Sequence, residues 1–161
     1  MDTNTLRLFD LLKSDRDTSG RILKLAQRHS SGWKIYPKPQ IIEIVDNISR
    51  ALLKKGLKKG DRVALMSGNR PEWNFVDFAC NQLGIAIVPL YPTLSAHDLS
   101  YIIHDAEVKL LFVSNKELSE KLEIALKDNN LSTELITLDP IGGQLSIIDL
   151  INEGATLTTD L

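Results

Sequence analysis

Four consecutive residues, Ser67, Gly68, Asn69 and Arg70, follow the apolar run Val63–Met66 and precede a helical pattern that opens at Pro71. Strand, tight turn and helix in that order is how nucleotide-binding folds grip phosphate. Backbone N–H groups freed by glycine point at the anion, and the helix N-terminus adds positive charge. The residue types argue against that use here. Pro71 deletes a donor that an anion would want, and Glu72 puts negative charge where the phosphate would sit. Gly68 is the only glycine of the turn, and neither G-x-G-x-x-G nor G-x-x-x-x-G-K-[ST] occurs in the chain. Arg70 is the one attractive element. The turn reads as structural, with Asn69 expected to cap the helix and Pro71 to fill its first turn.

The other reactive side chains are scattered. His97 and His104 stand seven residues apart on one predicted helix, too far for a helical i, i+3 or i+4 metal pair, and His29 lies in a turn. No acidic or thiol cluster accompanies them, so they read as ordinary surface histidines. The single cysteine, Cys80, excludes an internal disulfide and falls on an apolar helix face, where cysteine behaves as a small hydrophobe. Lys116 and Lys121 could approach an anionic coenzyme, but their spacing from acidic residues fits solvated surface lysines better. No G-x-S-x-G elbow is present, which removes the hydrolase reading.

The elements that must position these residues are periodic. Apolar strand runs fall at Arg62–Met66, Ala86–Leu90, Leu110–Val113 and Glu134–Leu138. Val63, Ile87, Leu111 and Ile136 recur at steps of 24, 24 and 25 residues. Continuous apolar runs alternating with helical patterns predict a parallel sheet covered by helices on both faces. Between the runs, Ile41, Ile44, Val45, Ile48 and Leu52 mark an amphipathic helix over 40–55, stopped by Gly56. Ser95 with Asp98, Asn115, and Ser146 with Asp149 mark further helix starts. Glu117–Lys121 and Glu123–Lys127 are expected as i,i+4 pairs.

The fold class expected is α/β: a Rossmann-like or flavodoxin-like half-sheet of about four parallel strands flanked by helices, with an N-terminal helix and hairpin. The natural division is an arm over 1–36 and an α/β subdomain over 37–161. In the arm, Leu6, Phe9 and Leu12 suggest a short helix. The runs Arg21–Gln27 and Trp33–Tyr36 flank His29–Gly32 as a hairpin, which needs a surface to rest on. With strand order 2-1-3-4 from residue 62, the crevice at the carboxyl edge would lie between the first and third strands. Ser67–Arg70, Tyr91–Leu94, Ser114–Asn115 and Asp139–Gly143 would border that edge.

Bulk properties fit this reading. The 161 residues suit one domain, and a net charge of -2 from 19 basic and 21 acidic residues lacks the basic stripe of a nucleic-acid binder. The longest apolar run, Leu83–Tyr91, is far short of the roughly 20 residues that span a bilayer. No secretion signal opens the chain, so a cytoplasmic location is expected. The helix beginning at Pro71 is apolar around most of its circumference. Trp73, Phe75, Val76, Phe78, Ala79, Cys80 and Leu83 surround a narrow stripe of Asn74, Asp77 and Asn81. Such a helix needs partners on more than one side.

Three stretches, LKKGDRVALMSGNRPEW, NQLGIAIVPLYPTLS and LSYIIHDAEVKLLFV, resemble the opening third of AMP-forming acyl-CoA synthetases, the long-chain fatty acid–CoA ligases in particular. The likeness runs from about Trp33 onward and is close over Leu57–Val113. The residues that carry it are Gly60, Asp61, Asn69, Arg70, Pro71, Glu72, Trp73, Gly84, Pro89, Tyr91, Pro92 and Thr93, taken as structural signatures. The resemblance implies a chain that activates a fatty acid with ATP to an acyl-adenylate and transfers the acyl group to coenzyme A. The family's Ser/Thr/Gly-rich phosphate loop, its adenine- and ribose-binding segments and its lid lysine do not occur in these residues. No family catalytic residue therefore maps onto this chain.

The expectation is an N-terminal structural subdomain that is inactive and binds no cofactor by itself. ATP, Mg2+ and coenzyme A belong to the complete enzyme, which could sit peripherally at the membrane. The partners expected of this chain are the remainder of the synthetase and, for the fragment alone, a second copy through its uncovered faces; the fatty acid is a partner of the complete enzyme. One local departure from the family is Tyr36-Pro37-Lys38-Pro39-Gln40, where no hydroxyl is available to cap the next helix. The alternative reading is a free-standing α/β binding or signalling module. A receiver-type domain would want acidic strand ends, but here they are Ser67, Tyr91, Ser114 and Asp139.

Overall fold

The apolar runs pair side by side into one parallel sheet. The computed structural model describes residues 8–13, 24–128 and 133–161. Helix α1 (Leu8–Lys13) is followed by strands β1 (Lys24–His29) and β2 (Gly32–Pro37), then α2 (Lys38–Lys54). The repeating part comprises β3 (Arg62–Met66), α3 (Pro71–Leu83), β4 (Ala86–Pro89), α4 (Ala96–Asp105), β5 (Leu110–Val113), α5 (Lys116–Asp128), β6 (Glu134–Thr137) and α6 (Ile147–Ala155). The sheet order is β4-β3-β5-β6, all parallel, which is the 2-1-3-4 order expected from residue 62. β1 and β2 form a separate antiparallel hairpin turning at Ser30 and Ser31. The expected helix residue Leu6 and strand residues Arg21 to Leu23 lie outside the described residues.

Period-2 alternation divides the sheet residues between two cores. Val63, Leu65, Leu110, Phe112 and Ile136 face a cluster shared with α1, α2, α3 and α6. Ala64, Met66, Leu111 and Val113 face a second cluster built on α4 and α5. Every residue of β5 is buried, as a central strand covered on both faces requires. β4 is an edge strand with half-buried Ile87 and Val88. Ala86 and Leu90 donate their N–H groups to β3, to the Asp61 and Leu65 carbonyls, so by alternation Pro89 lies where the missing N–H faces outward. The edge is thereby blunted against strand addition.

Helix boundaries follow their local chemistry. α2 starts after Pro37, whose side chain makes no capping bond, and Pro39 sits in its first turn, so fixed φ replaces a capping oxygen. It ends before Gly56 at φ 86, a left-handed position natural for glycine. Ser95 accepts from the Asp98 N–H, Asn115 from the Leu118 N–H, and Ser146 with Asp149 forms a complete capping box. On α5 the expected Glu117–Lys121 pair does not form. Lys121 Nζ reaches the Pro92 carbonyl at 2.7 Å, and the i,i+4 ion pair of that helix is Lys116–Glu120.

The wide apolar face of α3 finds more cover within the chain than its sequence led us to expect. Phe75, Val76, Ala79 and Cys80 are fully inside, α2 packs along one side, and α1 contributes Phe9 and Leu12 to the same cluster. Trp73, Phe78 and Leu83 remain half-buried at its margin. The hairpin rests on α2 and α3 through Tyr36 and Leu25, while Trp33 and Ile35 stay 65% and 54% exposed. No helix among the described residues is long and apolar enough to cross a membrane.

Candidate functional site

Open parallel sheets bind ligands at the carboxyl ends of their strands, where the winding direction reverses. Here the reversal lies between β3 and β5, bordered by Ser67–Arg70 after β3 and Ser114–Asn115 after β5. Ser114 N–H donates to the Met66 carbonyl at 3.0 Å, and Asp139 N–H donates to the Ser114 carbonyl at 3.1 Å. The three strand ends are thus stitched together by main chain. Ser67 Oγ donates to the Gly68 carbonyl at 2.9 Å.

Arg70 dominates this edge. It, and not Asn69, is the N-cap of α3, with φ -157 and ψ 157. The physical reason is Pro71 at the first helical position, which drives the preceding residue into an extended conformation. Arginine has no acceptor, so no side-chain cap forms. Its guanidinium instead pairs with Glu72 through Nε at 2.9 Å and with Asp139 through an Nη at 2.8 Å. Burial disfavours the charged guanidinium, yet hydrogen bonds and charge from Glu72 and then Asp139 outweigh it and raise its pKa above the ordinary arginine value. The positive group of the turn itself is held by two carboxylates. Sequence reasoning missed Asp139 as its partner. The available signal was an acidic residue directly after the fourth apolar run.

The remaining signature residues separate into two places. Gly60, Asp61 and Gly84 meet at the amino edge. Gly60, at φ 91, donates its N–H to the Gly84 carbonyl at 2.9 Å, and Asp61 Oδ2 accepts the Lys58 N–H at 2.8 Å. Gly84 ends α3 at φ 69, where a Cβ would crowd the Lys59 side chain. At the carboxyl edge, Pro71 is buried, Trp73 is half-buried, and Asn69, Pro89, Pro92 and Thr93 are exposed. Tyr91 is 71% exposed. A groove of about 510 Å³ runs between the hairpin and the start of α3, bordered by Arg28, Trp33, Asn69, Arg70 and Pro71. His29, His97 and His104 are exposed, and His97 lies 3.8 Å from Asp98.

Cys80 is buried, and burial, with the charge of Asp77 second, pushes its thiol far above the ordinary value. It is inert packing. Asp77 itself is raised by burial, which the hydrogen bond from Asn81 only partly offsets.

Residues 40–148 match the family model described as AMP-binding enzyme. The chain is 29% identical over 144 residues to fatty acyl-CoA synthetase A of Dictyostelium discoideum, covering 87% of this chain and 21% of that protein. It is 33% identical over 118 residues to long-chain-fatty-acid–CoA ligase 1 of Homo sapiens, covering 70% of this chain and 16% of that one. The chain therefore spans about a fifth or less of the length of these curated relatives. Its fold superposes on the A domain of carboxylic acid reductase from Segniliparus rugosus, solved with AMP and a co-purified carboxylic acid. That match has a TM-score of 0.78 at 14% identity, over 99% of this chain and 32% of that one.

Proposed function

The chain belongs to the AMP-binding enzyme family, and from that premise we propose that it is the opening structural subdomain of a long-chain fatty acid–CoA ligase. The observation that carries this is the family match over residues 40–148 together with long-chain ligase relatives several times longer. The complete protein would couple ATP to formation of a fatty acyl-adenylate and then transfer the acyl group to coenzyme A. It would work in the cytoplasm, with peripheral contact at a membrane surface. The arm over 1–36 and the subdomain over 37–161 would both meet the remainder of the chain.

The residues at the carboxyl edge do not fit a nucleoside triphosphate. Pro71 supplies no N–H, Glu72 opposes negative charge, and Arg70 is already committed to Glu72 and Asp139. ATP, Mg2+ and coenzyme A would accordingly be held by other parts of the complete enzyme. The contribution of these residues is to build the sheet edge against which those parts assemble. No catalytic step is assigned to them.

The test is ATP–pyrophosphate exchange with a panel of fatty acids. The 161-residue chain, free of host synthetases, should stay at background, and exchange clearly above background would overturn the subdomain reading. The coding sequence beyond Leu161 should continue into a Ser/Thr/Gly-rich loop ending in Pro-Lys-Gly.

A second reading, a free-standing α/β module, draws on one observation: both sheet faces are covered by helices of this chain. A stop codon directly after Leu161 in the native gene, with a stable monomer in solution, would favour it.

A further inference from the structure

We propose that the Arg70–Asp139 ion pair is a latch across the strand-reversal crevice, tying the segment after β6 to the loop after β3 and limiting its motion. The inference does not depend on the reaction of the complete enzyme. Arg70 leaves the loop after β3 and reaches Asp139 in the loop after β6, passing the carboxyl end of β5, which lies between those strands. With the main-chain bonds Ser114 N–H to Met66 carbonyl and Asp139 N–H to Ser114 carbonyl, it closes a ring around the crevice. Only one link of that ring is a side-chain contact, so that link is the one that can open without breaking the sheet.

The two carboxylates on Arg70 are unequal. Glu72 is on the same helix, and its side chain and that of Arg70 are 15% and 16% exposed, whereas Asp139 is 47% exposed. Glu72 keeps the guanidinium aimed and charge-balanced when Asp139 departs. Asp139 is the exchangeable partner: water and counterions reach it, and its departure leaves no buried charge alone. Beyond Asp139 the ties of the segment gather at its far end, Gln144 to Ser146, so among the described residues Arg70 is its one link to the β3 side. Its ties run from Gln144, to the Ile141 carbonyl and to Glu123 and Ser119 on α5, from the Leu145 carbonyl, which accepts from Thr137, and through the bridge of Ser146 with Thr137. Gly142 and Gly143, the latter at φ 83, give it the backbone freedom to swing. Latch closed, the two side chains span the end of β5; latch open, that span is lost and the segment beyond Asp139 moves more freely, while the main-chain bond of Asp139 to Ser114 and the pairing of β6 stay in place.

Amide hydrogen exchange on the 161-residue chain tests this. In Asp139→Asn, the two hydrogen-bonded amides of the segment, those of residues 139 and 144, should exchange about fivefold faster, the size expected for losing one half-exposed ion pair. Amides of Val63–Met66 and Leu110–Val113 should keep wild-type protection. Asp139→Glu, which preserves the charge, should recover most of the difference. Wild-type protein at about 1 M salt should move toward the asparagine variant, because the exposed partner is screened. Unchanged exchange at these two amides would overturn the latch. So would a uniform rise across the whole sheet, which would mean that the pair contributes only to global stability. If Asp139→Asn fails to fold, the salt series on wild-type protein decides alone: a loop that is insensitive to salt sinks the proposal.

Discussion

The ring of Tyr36 meets the ring of Phe75 edge-on, with centroids 5.2 Å apart and planes at 75°. This contact joins the last part of the hairpin to the buried face of α3, across a chain separation that no local rule spans. Aromatic pairs in this geometry contribute about 0.5–1.5 kcal/mol beyond the area they bury. Tyr36 is only 4% exposed, whereas its neighbours Trp33 and Ile35 stand in solvent. The hairpin is held by this anchor and by half-buried Leu25.

Tyr36→Ala should therefore cost about 3 kcal/mol, at the lower end of aromatic truncations in cores. Lys34, whose Nζ lies 4.8 Å from the Tyr36 centroid, is the control: Lys34→Ala should cost less than about 1 kcal/mol. Urea melts compare them, and equal losses would mean that the ring contact is not the anchor.

Gly154→Ala should destabilise by about 1–3 kcal/mol, as overpacking does. A methyl there would land on the backbone carbonyl of Asn47, which cannot move without shifting α2. The cost would appear as a lower denaturant midpoint. A wild-type midpoint would show that α6 slides freely on α2.

Trp73 is half-buried at the margin of the core, so Trp73→Ala should cost about 1–2 kcal/mol, short of the 3–5 of a full core truncation. A loss below about 0.5 kcal/mol in the same melts would make it an ordinary surface residue.

Acid should loosen α6, and α4 with it, where the Ser95 hydroxyl holds Asp98 low in the same way. Asp149 is held below its ordinary pKa by the Ser146 hydroxyl and backbone, and Glu153 by Lys54, 2.7 Å away. A carboxylate depressed on folding stabilises above its unfolded pKa of about 4 and loses that contribution as pH falls through the folded value. Stability should be flat from neutral pH down to about pH 5, then fall below about 4. Asp149→Asn should flatten the fall, as melts across that range would register. An identical acid profile in the variant would assign the loss to other groups.

Self-association is expected through the outer hairpin face, where Trp33 and Ile35 lie exposed on one strand among the described residues. Apolar patches of this kind seek partners, and a symmetric pair is the commonest closed form. Sedimentation over a range of concentrations should show a monomer–dimer equilibrium that Trp33→Ser shifts toward monomer. A clean monomer throughout would retire the idea.

The repeating half of this chain was legible because its signals are local. The runs at Val63, Ile87, Leu111 and Ile136 each lie in an observed strand, and Ser95, Asn115 and Ser146 each cap the helix that they precede. The start of α3 was misplaced by one residue, since the preference of asparagine for caps lost to the steric demand of Pro71 on Arg70. The cover that α1 gives α3 was not legible, because a helix of six residues carries no sign of where it docks. Arg70 with Asp139, Lys121 with the Pro92 carbonyl, and Gly154 against Asn47 are all pairings between distant segments. One sequence holds no register for such contacts.

The burial of Cys80 gives this molecule a chemical clock. With one thiol in the chain, enclosed where α3 faces α2 and the sheet, a disulfide reagent can consume it only when that helix lifts away. The rate of colour release would then time a single event, the parting of α3 from its bed. Any domain docked onto this one in a longer protein would announce itself by slowing that clock.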